Sequence, residues 1–162
     1  MTSALIEPIR EADLSGVLTL NTLHAAELSL LTRERLEELV ETAFHARRIG
    51  AVDAFLIAFD QDAAYDSPNF LWFRERYPRF AYVDRIAVAA SARGRGLARS
   101  LYEDFFAQAS RAGHTVVTCE VNADPPNPAS DAFHAALGFQ PVGTAAIYGG
   151  ARTVRYFERK LH

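Results

Sequence analysis

The stretch from Phe80 to Ala112 constrains the fold most, because its residue pattern changes period across a pair of glycines. Phe80-Ala81-Tyr82-Val83-Asp84-Arg85-Ile86-Ala87-Val88 is rich in β-branched and aromatic residues and holds no Gly or Pro. That composition predicts a strand buried on at least one face. Small residues follow in Ala89-Ala90-Ser91-Ala92-Arg93-Gly94-Arg95-Gly96. From Leu97 the apolar residues Leu97, Leu101, Phe105 and Ala109 recur every fourth position, the spacing of one helix face, and Gly113 marks a C-terminal stop. The order is strand, glycine turn, helix. Glycines let a ligand approach the backbone closely. The unpaired N–H groups of the helix's first turn, aided by the helix dipole, then suit a phosphate. A plain tight connection would carry the same spacing.

Two common phosphate loops are excluded. No Gly-x-x-x-x-Gly-Lys-Ser/Thr occurs, and the dinucleotide pattern Gly-x-Gly-x-x-Gly fails because Arg99 stands where its third glycine belongs. Arg93-Gly94-Arg95-Gly96-Leu97-Ala98 instead resembles the Gln/Arg-x-x-Gly-x-Gly/Ala signature of the GNAT superfamily of acetyl-CoA-dependent N-acetyltransferases. Upstream, Tyr82 to Val88 looks like that family's fourth strand. Downstream, Asn127-Pro128-Ala129-Ser130-Asp131-Ala132-Phe133-His134-Ala135-Ala136-Leu137-Gly138-Phe139 resembles its Asn…Tyr…Leu-Gly-Phe segment. The resemblance is clear from Phe80 to Phe139 and looser in the N-terminal third.

The 162 residues suit one domain, spanning 1–162, with room for a hydrophobic core. A formal charge of −3 gives no basic field for sequence-blind nucleic-acid binding. One cysteine excludes an internal disulfide and a cysteine-built metal cage, and no metal is expected. No apolar run reaches membrane length and the N-terminus lacks a signal pattern, so a cytoplasmic protein is expected.

Taken in order, Ala4 to Arg10 reads as a short strand which Pro8 places at or near a sheet edge. Asp13 or Ser15 can cap a first helix, and Thr32 a second through Leu36, Leu39, Val40, Ala43 and Phe44. Arg47–Val52 and Ala54–Asp60 read as a hairpin, the latter nearly all apolar and so central. Gln61 to Arg79 reads as a long loop carrying Tyr65, Asn69, Phe70, Trp72, Phe73 and Tyr77, whose aromatics either pack it down or line a pocket. His114–Asn122 reads as a fifth strand with Val117, Cys119 and Val121 on one face and Val116, Thr118, Glu120 and Asn122 on the other. Asn127 can cap a short helix with Pro128 in its first turn, Phe133, Ala136 and Leu137 inward and Gly138 at its end. Val142–Tyr148 and Thr153–Leu161 form a closing hairpin around Gly149-Gly150. The fold class that follows is α/β (α+β): a mixed, mostly antiparallel sheet of six to seven strands with helices on both faces.

The resemblance implies more. In GNAT proteins the fourth and fifth strands splay and acetyl-CoA enters the gap. Its pyrophosphate would sit on the backbone N–H groups of Arg93, Gly94, Arg95, Gly96, Leu97 and Ala98, with Arg93 and Arg95 adding charge unless Arg95 is simply solvated, and its pantetheine amides on Ile86, Ala87 and Val88 in the manner of an added strand. Asn127 and Phe133 would border the cofactor, and an N–H near Val88 would hold the acetyl oxygen. The loop from Glu27 to Leu31 would form one acceptor wall, with Glu27 attracting an amine or simply solvated. Tyr65, Asn69 and Trp72 would form another. The acceptor is a small-molecule or peptide amine, attacked directly in a ternary complex, and a homodimer is compatible with the chain.

Acyl transfer to an amine requires a proton acceptor, an oxyanion donor and a proton for the departing thiolate. Glu120 matches a glutamate that some GNAT members use as base, and Asp84 is its rival unless it is held in an ion pair with Arg85. His134 stands where the family has an acidic tyrosine. As an imidazolium it would donate to the thiolate, or it would instead bind or pack. A non-catalytic acyl-CoA-binding or regulatory module carries the same cofactor motifs. A nucleic-acid binder built on Arg-Gly-Arg-Gly conflicts with the flanking strand and helix and the acidic total.

Overall fold

The computed structural model describes residues 5–25, 28–124 and 126–161. Seven strands form one sheet: β1 (Ile6–Pro8), β2 (His45–Ile49), β3 (Ala54–Asp60), β4 (Ala81–Val88), β5 (Val116–Asp124), β6 (Gln140–Ile147) and β7 (Arg152–Lys160). Their spatial order is β1-β2-β3-β4-β5-β7-β6. Every neighbouring pair is antiparallel except β4 and β5, which run parallel. The sheet is thus mixed and mostly antiparallel, as expected, and Pro8 does lie on an edge strand.

Five helices cover it: α1 (Leu14–Leu23), α2 (Arg33–Thr42), α3 (Pro68–Arg74), α4 (Leu97–Arg111) and α5 (Pro128–Ala136). On one face Val17 and Leu20 of α1, Leu36 and Leu39 of α2 and Phe70 and Phe73 of α3 pack on Phe55, Ile57, Phe59, Tyr82 and Tyr156. On the other, Leu97, Leu101, Tyr102 and Phe105 of α4 pack on Leu56, Ala58, Val83, Val117, Cys119 and Phe157. Burying both faces of β3 is what its nearly continuous apolar sequence requires.

Local signals place the helix starts. Thr32 accepts a hydrogen bond from the Arg35 N–H at 3.1 Å, and Asn127 accepts one from Ser130 at 3.3 Å with Pro128 opening α5. Asp13 lies at the start of α1 without capping it; its carboxylate accepts from the Arg10 N–H and pairs with Arg48 instead.

Two expectations are corrected. The long segment between β3 and β4 is not all loop, because α3 forms in it. Pro68 suits a first helical turn, and Phe70 and Phe73, one turn apart, both bury, but seven residues are too short to show a period in sequence. In α5 the inward positions are His134 and Leu137, with Phe133 half-buried, while Ala136 is exposed. The stripe of a short helix rotates with the angle at which it docks, and spacing alone leaves that angle open.

Candidate active site

β4 and β5 pair only at Ala81–Val117 and Tyr82–Thr118. Beyond Tyr82 they diverge, and a cleft of 1190 Å³ opens between them, lined by Ile86, Ala87 and Val88 on one wall and Cys119, Glu120, Val121 and Asn122 on the other. The β5-facing backbone of β4 past Tyr82 therefore has no strand partner. An extended amide chain can pair with it as an added strand.

At one end of this cleft stands the glycine turn. Gly94 and Gly96 have φ of +78° and +71°, which L side chains adopt at a cost, and a Cβ at either would meet nothing within 4 Å. Gly96 is the residue immediately before α4, so the N–H groups of Leu97, Ala98 and Arg99 begin that helix without intrahelical partners. Arg93 and Ala98 line the cleft. The Arg95 side chain is exposed, 3.9 Å from Asp53, and does not line the cleft, and the Leu97 side chain is buried in the core. Positive-φ glycines, open space above them, a cationic Arg93 and free helix N–H groups fit a pyrophosphate. Asn127, Phe133 and His134 border the cleft from α5.

At the other end lie Tyr65 and Asn69 with Ser29, Arg35 and Tyr148. Glu27, expected here, lies outside the described residues. Trp72, also expected here, does not line the cleft. Its ring stacks on Tyr156 with centroids 4.2 Å apart, Arg76 caps it at 4.0 Å, and a Cβ at Gly143 would stand 2.5 Å from it. Trp72 is packing.

The pairing of β3 with β4 slips by one residue where Ile57 faces Arg85 and Ala58 faces Val83. Asp84 is the extra residue of this bulge, which breaks the two-residue alternation and lets neighbours share a side. Asp84 Oδ2 accepts from Arg85 Nε at 2.7 Å, and Asp84 Oδ1 accepts from the Tyr65 hydroxyl at 2.6 Å. The Arg85 guanidinium also donates to Asn21 Oδ1 at 2.9 Å and to the Ser29 carbonyl at 3.1 Å. Both side chains are buried. Both oxygens of Asp84 are already committed, so the ion-pair alternative describes it.

Glu120 is differently placed. Its Oε1 accepts from Asn69 Nδ2 at 3.2 Å, whereas its buried Oε2, like the Tyr82 hydroxyl, has no hydrogen-bond partner in the protein. Burial, and then the negative charge of Asp84, push its pKa up to about 8; Tyr82, Asn69 and Arg85 oppose the rise. A carboxyl so tuned exchanges protons near neutral pH.

His134 departs from its expected role. One ring nitrogen, Nδ1, lies 2.7 Å from the Ser130 carbonyl, to which only an N–H can bond, and Nε2 lies 2.7 Å from the Tyr102 hydroxyl. Burial holds its pKa below the ordinary value despite the Ser130 carbonyl and Asp131. Both nitrogens are engaged and burial disfavours the charged form, which does not match the free imidazolium donor expected from the sequence. Sequence reading missed Tyr102, which lines the cleft, and Tyr82 and Tyr156, which face Glu120's side of the sheet. Strand alternation identifies the last two only once the register between strands is fixed.

Residues 32–139, which include both cofactor segments, match the acetyltransferase (GNAT) family. The chain belongs to that family. Over 86 residues it is 30% identical to the L-2,4-diaminobutyric acid acetyltransferase of Wolinella succinogenes, a match covering 49% of this chain and 50% of the relative. The chain thus spans half the length of the curated relative it matches. Among solved structures, Ard1 from Thermoplasma volcanium shares the fold at a TM-score of 0.77 and 15% identity, over 99% of each chain. The yncA protein from Salmonella typhimurium, solved with its cofactor acetyl-CoA, does so at 0.73 and 17% identity, over 99% of this chain and 95% of that one. At such identities the likeness is one of fold. Among the described residues no helix is long and apolar enough to cross a membrane, and no cluster of His, Cys, Asp and Glu could hold a metal ion.

Proposed function

We propose that this GNAT protein transfers the acetyl group of acetyl-CoA to a primary amine of a small molecule or peptide, by direct attack with both substrates bound. The observation that carries this reading is one cleft lined both by Arg93 and Ala98, which flank the glycine turn, and by Glu120, whose carboxyl pKa is pushed up to about 8. Bound acetyl-CoA supplies an acetyl thioester, an acyl group already activated toward amines.

The protein's residues do the rest. Arg93 and the N–H groups from Gly94 to Ala98 hold the pyrophosphate. The unpaired edge of Ile86, Ala87 and Val88 aligns the pantetheine, and an N–H near Val88 holds the acetyl oxygen as negative charge develops. Asn127 and Phe133 border the cofactor. Glu120 takes a proton from the ammonium form of the acceptor, leaving the nitrogen lone pair free to attack. Asp84, neutralised by Arg85, raises the proton affinity of Glu120 rather than acting as base. Tyr65 and Asn69 bound the acceptor end. With His134 neutral, solvent protonates the departing thiolate.

Thiol release from acetyl-CoA is to be measured against a panel of amines that includes L-2,4-diaminobutyric acid, polyamines and short peptides, with a no-acceptor control. Amine-dependent release that falls about a hundredfold in Glu120→Gln supports the reading. Tight acetyl-CoA binding without release above the control for any amine would favour the non-catalytic acyl-CoA-binding module.

A further inference from the structure

Asn69 stands at the acceptor end of the cleft, yet its two polar atoms are both committed inside the protein. Its Nδ2 donates to Glu120 Oε1 at 3.2 Å, and its Oδ1 accepts from the Tyr156 hydroxyl at 2.8 Å. The three groups come from α3, β5 and β7, and Asn69 and Tyr156 are both buried. The direction of this chain follows from donor chemistry. In its ionised form the Glu120 carboxylate only accepts, and the amide then turns its NH₂ toward Glu120 while its oxygen meets the one proton that Tyr156 can give. Trp72, stacked on Tyr156, and Phe73, edge-on to it at 5.2 Å, hold that phenol in place. Tyr156 is fully buried, which leaves little water to compete for its bond to Asn69.

We propose that Asn69, oriented by the Tyr156 hydroxyl, is a positioning residue that fixes the Glu120 carboxyl and favours its ionised, proton-accepting form. The inference rests on the reading of Glu120 as base. Other groups act on the same carboxyl: Asp84 and Arg85 from the bulge, Tyr82 beside them on β4, and Tyr65 before α3. From the opposite face of the sheet, Cys119 and Tyr102 also feel its charge. Asp84 disfavours the ionised form, while Tyr82, the Asn69 bond and Arg85 favour it. Removing that bond should therefore raise the proton affinity of Glu120.

The test is a carbon-13 NMR titration of the glutamate side-chain carboxyls in the full chain, with the Glu120 signal identified by its loss in Glu120→Gln. The parent midpoint is expected at about 8. In Asn69→Leu it should move up by about one pH unit, the ordinary effect of losing one hydrogen bond to a charged group. Tyr156→Phe keeps the stack on Trp72 and should shift it the same way by less, which covers the case in which Asn69→Leu does not fold. The low-pH limb of the acetyl-transfer rate should move with the midpoint, while the thermal shift given by acetyl-CoA stays as in the parent. An unmoved midpoint in both variants overturns the inference while leaving Glu120 as base. A higher acceptor KM with an unmoved midpoint overturns it in favour of direct contact between Asn69 and the acceptor. A midpoint that moves while the rate limb does not would remove Glu120 as base, and this role for Asn69 with it.

Discussion

The hydroxyl of Tyr102 lies 2.7 Å from Nε2 of His134, joining the middle of α4 to α5 beneath the cleft. With Nδ1–H donating to the Ser130 carbonyl, Nε2 of the neutral imidazole accepts a hydrogen bond from the Tyr102 hydroxyl. His134→Gln should therefore leave any fall in rate at high pH in place. Loss of that descending limb in the Gln variant would restore His134 as the acid. The stability signature has the opposite sense to that of a paired imidazolium. A His whose pKa is lowered from 6.5 on folding binds fewer protons folded than unfolded, so stability drops as pH falls below about 6.5. Thermal melts between pH 5 and 7 should show a shallower slope in His134→Gln; the lowered pKa values of His45 and His114 account for part of the slope that remains.

Asp84→Asn separates tuning from catalysis. It leaves the buried Arg85 guanidinium without its counter-charge, at a cost of about 3–5 kcal/mol in stability. It also removes the negative charge that helps to raise the Glu120 pKa, so the carboxyl midpoint and the rate limb should both move to lower pH. That direction is opposite to the one expected for Asn69→Leu. A variant that is folded, inactive at every pH and unshifted in its Glu120 titration would make Asp84 the base.

Glu120→Gln should trade activity for stability. Folding raises this carboxyl's pKa from 4.5 to about 8, so the native state binds more protons than the unfolded chain between those values and loses stability as pH rises through them. The Gln variant escapes that loss. Its unfolding free energy should exceed the parent's at pH 8 by on the order of a few kcal/mol, seen as a higher melting temperature, and the gap should close toward pH 5. Equal melting curves at both pH values would mean that Glu120 is not charged at a cost.

Gly96 tests the cofactor end. Its φ of +71° penalises any side chain, but the space around its Cβ position is open. Gly96→Ala should lower stability by roughly the 1 kcal/mol expected for a forced left-handed residue, with a correspondingly lower melting temperature, while keeping the upward shift given by acetyl-CoA. Gly96→Glu adds a negative charge at the start of α4 and should abolish that shift. A shift that survives in folded Gly96→Glu would place the pyrophosphate elsewhere.

Trp72→Ala should behave as a core deletion. Removing a ring stacked on Tyr156 and covered by Arg76 should cost about 3–5 kcal/mol. The acceptor KM should stay close to the parent's in the fraction that folds. A KM rise with an unchanged melting temperature would return Trp72 to the acceptor wall.

Much of this molecule is written along the chain. The strand, glycine turn and helix from Phe80 to Ala112 follow from period and composition, as do the caps at Thr32 and Asn127 and the edge placement of Pro8. Alternation along β5 is enough to put Glu120 and Cys119 on opposite faces of the sheet. These features depend on a residue and its near neighbours, because helix and strand geometry repeat over two to four residues. What tertiary structure decided are relations between distant positions. Asn69 meets Glu120 across 51 residues and Tyr156 across 87, and Tyr102 meets His134 across 32. Each requires the register between strands and the docking angle of a helix, neither of which has a local signature. The bulge that places Asp84 beside Arg85 appears only when β4 is laid against β3. The raised pKa of Glu120 and the lowered pKa of His134 come first from burial, and burial exists only once the chain has closed around them.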